Sequence, residues 1–119
     1  MATVVDIDKK RFFTLGEAKE LLPILRRLTH NAETRVRELG RQHSYVTKPE
    51  KKAEVEELIR QCISEWHAKI VRLGVTSKGL WLIDFDSGDG FWCWQYPEPD
   101  IQFCHGYHEG FRQRRELPS

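Results

Sequence analysis

The chain has 119 residues, 19 of them basic and 18 acidic, for a formal net charge of +1. That length is one domain's worth, with a core of modest size. The balance of charge leaves no electrostatic footprint for a polyanion such as DNA, which argues against nucleic acid as a partner. No apolar run approaches the ~20 residues a membrane helix needs, and the first eight residues lack the basic and apolar segments of a secretion signal. With three cysteines at irregular spacing, a cytoplasmic protein with reduced thiols is expected.

The first predicted helix opens at Thr14, where Glu17 three positions on completes a T-x-x-E capping box. Phe13 stands at the staple position, although its partner position holds only Ala18. Leu15, Ala18, Leu21, Leu22, Leu25, Leu28, Ala32, Val36 and Leu39 recur at steps of three and four, which makes one apolar stripe. Gly40 is the expected stop, and Pro23 is expected to kink or interrupt the early turns. A second helix starts near Pro49, with Thr47 and Glu50 as a possible capping box. Its stripe is Val55, Leu58, Ile59, Cys62, Ile63, Trp66, Ile70 and Leu73, and Gly74 ends it. Each helix should be about 37 Å long at 1.5 Å per residue. Together they read as an antiparallel hairpin over residues 14–74.

After Gly74 the composition turns aromatic: nine of the thirteen aromatic residues lie between Trp81 and Phe111. Three short strands are predicted, Leu80–Phe85, Phe91–Tyr96 and Ile101–His105, joined by the turns DSGDG and PEPD. The expected fold is therefore α+β, one domain over residues 1–119, with an antiparallel meander over residues 75–119 packed on the helical hairpin.

Several stretches resemble a known family in the same order along the chain: RFFTLGEAKELLPIL, WLIDF, CW, PEPDI, and a histidine followed by GFRQR. They are similar to the small prokaryotic proteins of the uncharacterised family DUF2203. On that pattern the matching positions are Phe13, Thr14, Glu17, Ala18, Leu22, Pro23, Asp84, Phe85, Cys93, Trp94, Glu98, His105, Gly110 and Phe111. Cys104 departs from it, because the family tends to have tryptophan before the histidine, and His108 and Glu109 do not look like family positions. The resemblance brings a pattern but no reaction.

Candidate chemistry gathers in FCHGYHEGF, Phe103 to Phe111. If PEPD is a four-residue loop, Tyr96 faces Ile101, Cys93 lies opposite Cys104, and Trp92 lies opposite His105. Alternation then puts Trp92, Trp94, Tyr96, Ile101, Phe103 and His105 on the core face, with Phe91, Cys93, Gln95, Gln102 and Cys104 on the other. The opposed cysteines read as two small reduced residues, as two thiolates for a metal, or as a redox pair. No C-x-x-C or H-E-x-x-H occurs. His105 needs partners for both ring nitrogens, and Asp84 and Glu98 are the expected carboxylates. Asp84 itself is expected to face solvent by alternation, the alternative being a buried and paired carboxylate. His108 and Glu109 join the candidate set only if the chain turns at Gly106. The basic cluster Arg112, Arg114 and Arg115 reads as a solvated tail, the alternative being an anion or RNA contact.

Two function classes follow. The first is a non-catalytic, self-associating binding or scaffolding module. The short sheet cannot cover the whole hairpin, which leaves Ala32, Val36, Leu39, Val55, Leu58 and Ile59 as a face for a second copy, a homodimer. The second is a metal-binding protein, for zinc or iron, or an acid–base enzyme. Its site would centre on His105, with Asp84, Glu98, Cys93, Cys104, His108 and Glu109 as candidate ligands or catalytic partners.

Overall fold

The capping box at the first helix is formed as its spacing predicts. The Thr14 hydroxyl accepts from the Glu17 amide at 3.1 Å, and the Glu17 carboxylate accepts from the Thr14 amide at 2.9 Å. A computed structural model describes residues 11–118. Helix α1 spans Leu15–Tyr45 and α2 spans Pro49–Arg72. The first helix runs through Pro23 without a break and past Gly40 to Tyr45. Pro23 and Gly40 are exposed, and the stripe on the opposite face carries the helix across both positions. The second helix is capped at Lys48 with no side-chain hydrogen bond, so the expected Thr47 box does not form. Gly74 ends it at φ +92°, a left-handed stop that favours glycine.

Five strands follow: β1 Thr76–Gly79, β2 Leu82–Asp86, β3 Phe91–Gln95, β4 Phe103–His105 and β5 Arg115–Glu116. They form one antiparallel meander in the order β1-β2-β3-β4-β5. The α+β class is as expected, with two strands more than predicted. Those two, β1 and β5, are short and mostly exposed edges without an apolar alternation to betray them.

Alternate residues of the sheet face the helices. Ile83, Phe85 and Trp94 join Phe13, Ala18, Leu22, Leu25, Trp66 and Ile70 in one buried cluster. Phe13 staples the helix to the sheet rather than to Ala18. Its ring meets Phe85 edge-on at 5.5 Å, its amide donates to the Asp86 carbonyl, and its own carbonyl accepts from the Trp92 indole. Between the helices, the Trp66 indole donates to the fully buried Thr29 hydroxyl at 2.9 Å. Farther along the hairpin, Ala32, Leu39 and Val55 are buried within the subunit, Val36 and Ile59 are half-buried, and Leu58 is 41% exposed. No helix among the described residues is long and apolar enough to cross a membrane.

The β3–β4 register differs by one residue from the expected one. Phe91 pairs with His105, Trp92 with Cys104 and Cys93 with Phe103. Strand β3 ends at Gln95, and the connection to β4 takes all of residues 96–102 rather than PEPD alone. Glu98 organises that connection. Its amide donates to the Gln95 carbonyl, its carboxylate accepts from the Gln95 amide, and its carbonyl accepts from the Trp94 indole and Arg26. Because side chains alternate with period two, the one-residue difference moves a whole strand's contacts to the other face. Cys93 and Cys104 are therefore not opposed: they lie on opposite faces of the sheet, and all three cysteines are free. His105 and Phe103 lie on the face away from the helices, with Cys93, and not on the core face with Trp92 and Trp94.

Candidate metal centre

Strand pairing brings the site together. Asp84 on β2 lies directly opposite Cys93 on β3, and His105 on β4 lies opposite Phe91, two residues along β3 on the same face. The three residues are buried, and one ligand atom from each lies within 4.8 Å of the other two. Asp84 is 1% exposed, which overturns the expectation of a solvent-facing carboxylate. Alternation does turn it away from the helices, but the outer face of the sheet has its own cover.

That cover comes from both ends of the sheet. On one side Lys78 reaches over, with its ammonium 4.3 Å from the Phe91 ring centre and 3.7 Å from Asp84 Oδ2. On the other side the C-terminal segment returns. Arg114 lies 4.0 Å from the ring centres of both Phe103 and Phe111, forms a two-pronged ion pair with Glu98 at 3.0 and 3.1 Å, and points one nitrogen at the Cys93 sulfur at 4.0 Å. The expected solvated tail is thus anchored at this residue, whereas Arg112 and Arg115 remain exposed. Burial works against the Arg114 charge, but Glu98 and Cys93 outweigh it and raise the pKa of the guanidinium.

The hydrogen bonds inside the site are incomplete. His105 Nε2 is 3.0 Å from Asp84 Oδ2, and Nδ1 is 2.9 Å from the Gly106 carbonyl. Both neighbours are acceptors when Asp84 is ionised, and a neutral imidazole can donate to only one of them. A cation at Nε2 is the alternative that leaves the imidazole neutral with Nδ1–H donating to Gly106, the usual arrangement of a ligating histidine. Asp84 Oδ1 is buried with no hydrogen-bond partner among the described residues. A buried carboxylate oxygen left this way costs about 1–3 kcal/mol or more. The Cys93 thiol is held protonated by burial first, then by the adjacent Asp84 charge and a hydrogen bond to that carboxylate, against the pull of Arg114, and its pKa is pushed up to about 12.

This arrangement does not suit a cysteine nucleophile with a histidine base. Both ring nitrogens of His105 already face other groups, and a thiol with a pKa of about 12 carries almost no thiolate at neutral pH. The donor set does suit a borderline-soft dication. Carboxylate oxygen, thiolate sulfur and imidazole nitrogen are three of zinc's customary ligands, and three protein ligands leave one position open.

The other predicted candidates fall outside this set. Glu98 holds Arg114 and the Gln95 amide. Cys104 lies on the opposite face, paired with Trp92. His108 is exposed. Glu109 accepts from the Gly106 amide and from Arg115, and the first of these bonds lowers its pKa most. Sequence reasoning missed the two flanking cations: nothing near Lys78 marks it, and Arg114 sits inside a run of basic residues. Two surface clefts run along the helices, one lined by Ala32, Cys62 and Trp66 and the other by Glu57, Gln61 and Glu65, and neither touches the three buried residues.

No curated protein and no solved structure matches this chain. A family model described as an uncharacterised conserved protein matches residues 11–117, which takes in both helices, all five strands and the Asp84–Cys93–His105 cluster. The chain belongs to the DUF2203 family.

Proposed function

We propose that this protein binds a zinc-class divalent metal through Asp84, Cys93 and His105, and that it does so in the cytoplasm. The observation that carries the reading is the buried cluster itself: a carboxylate, a thiol and an imidazole with ligand atoms all within 4.8 Å of one another, the carboxylate having an Oδ1 with no hydrogen-bond partner among the described residues. A metal would accept both Asp84 and His105 as donors and would draw the proton from Cys93. Whether the bound ion catalyses a reaction or steadies a fold depends on the fourth position, which three protein ligands leave open.

The test is elemental analysis of the full chain purified without a metal-affinity tag, followed by replacement with Co²⁺. Near-stoichiometric zinc or iron is expected. The cobalt form should show an intense near-ultraviolet sulfur-to-metal band that disappears in Cys93→Ala and His105→Ala. A protein with no bound metal, and with no such band after cobalt is added, would overturn the proposal.

A separate observation supports self-association of the hairpin. Of the face expected from sequence, Leu58 stands exposed and Val36 and Ile59 are half-buried, so half of it is not fully covered within the subunit. Sedimentation equilibrium should give twice the chain mass, and Leu58→Glu should halve it. A concentration-independent monomer of the unmodified chain would remove this part.

A further inference from the structure

The two cations that flank the cluster are held very differently. Arg114 is 11% exposed and fixed by two rings, a two-pronged ion pair and the Cys93 sulfur. Lys78 is 41% exposed, and its ammonium rests against Asp84 Oδ2 at 3.7 Å and the Phe91 ring at 4.3 Å. It projects from an irregularity in β1, where the register with β2 shifts between Ser77 and Gly79. Such bulges re-aim a side chain beside a site. Asp84, which Lys78 touches, is clustered with Cys93 and His105, all three buried. The more weakly held of the two covering cations is therefore also the more exposed.

We infer that Lys78 is both the entry door and a built-in competitor of this site: its ammonium neutralises Asp84 until a dication displaces it. The inference rests on the metal reading above and adds its regulation. A dication entering beside Lys78 meets a like charge on the carboxylate it must ligate. The flexible four-carbon stem lets the ammonium withdraw to water with its proton still on. No bond is made or broken in the lysine; it exchanges one counter-charge for another at Asp84. Entry past Arg114 would instead require opening the Glu98 ion pair and unstacking two aromatic rings.

Removing a charge this close to a ligand oxygen should tighten metal binding. Half-exposure screens the effect, so the expected gain is about tenfold in affinity, equivalent to ~1.4 kcal/mol. The experiment titrates Zn²⁺ against a chromophoric chelator in the wild-type chain, Lys78→Met and Lys78→Arg, and follows loading by stopped flow. Lys78→Met should bind about tenfold tighter and load faster. Lys78→Arg, which keeps the charge, should show no such gain. A purely structural lysine would leave affinity and loading rate the same in all three. If wild type binds zinc and Lys78→Met binds it no tighter, the competitor role is overturned while the metal site stands. If no variant binds zinc, both readings are overturned. Zinc binding by Lys78→Met alone would support both.

Discussion

Replacing Asp84 by asparagine separates a site built for a ligand from a pair built for stability. In the absence of metal, Asp84 contributes a charged hydrogen bond to His105 at 3.0 Å and a weak contact with the half-exposed Lys78. Against these stands the orphaned Oδ1. Asparagine nearly keeps the shape. Its amide can donate to His105 Nε2 once the imidazole has shed one proton, and the Nδ1–H bond to Gly106 remains. Exchanging a charged for a neutral hydrogen bond loses ~1–1.5 kcal/mol, and the Lys78 contact adds a loss of ~0–1 kcal/mol. The oxygen at the Oδ1 position stays unpartnered as a neutral carbonyl, so nothing is credited for it. The metal-free variant should therefore lie about 1–2.5 kcal/mol below wild type. For 119 residues, an unfolding entropy of ~0.25 kcal/mol/K turns that into a shift of no more than ~10 °C. The assay is urea and thermal unfolding with chelator present, repeated with excess Zn²⁺. Wild type should gain about 2.7 kcal/mol when free metal stands at a hundred times its dissociation constant, and Asp84→Asn should gain far less. A loss of 3–5 kcal/mol in chelator, the usual cost of breaking a buried ion pair, would show that Asp84 is a structural keystone and would refute the reasoning.

Other expectations follow from the same geometry. Thr29→Val keeps the volume but strands the buried Trp66 indole N–H, so it should cost about 1–3 kcal/mol, read as a lower urea midpoint with an unchanged slope. Cys93, buried and with a pKa pushed up to about 12, should resist alkylation at pH 8 in the native, chelator-treated protein while reacting promptly in urea; rapid native labelling traced to Cys93 by mass spectrometry would contradict its placement. A side-chain carbon at Gly90 would stand 2.7 Å from the His105 carbonyl oxygen, so Gly90→Ala should cost about 1–3 kcal/mol through forced backbone movement and should weaken cobalt binding by shifting His105; unchanged stability and affinity would show that β4 yields without effort.

Local chemistry was legible where a residue and its partner are near in sequence. The Thr14–Glu17 box, the stop at Gly74 and the DSGDG turn all read correctly because each closes within a few residues. Strands β1 and β5 did not, since edge pairing leaves little apolar pattern to detect. The β3–β4 register was lost for a different reason. PEPD carries turn residues, but the turn is set by Glu98, whose carboxylate reaches back to the Gln95 amide and holds Arg114 from the far end of the chain. His105 and its Asp84 partner were anticipated from the need of an imidazole for a carboxylate. Cys93 was a candidate on the wrong grounds, as the mate of Cys104. Alternation alone makes Asp84 look wet, and it does turn the side chain from the helices; what alternation cannot show is that Lys78 and the returning C-terminal segment cover the outer face.

The three donors come from three successive strands, and each faces outward only because both hairpins are in step. Sliding either hairpin by a single position would turn one donor toward the helices and dismantle the cradle. An ion seated there would therefore act as a proofreader of sheet assembly, recognising only the chain whose zigzags are correctly aligned and adding its affinity to that alignment alone.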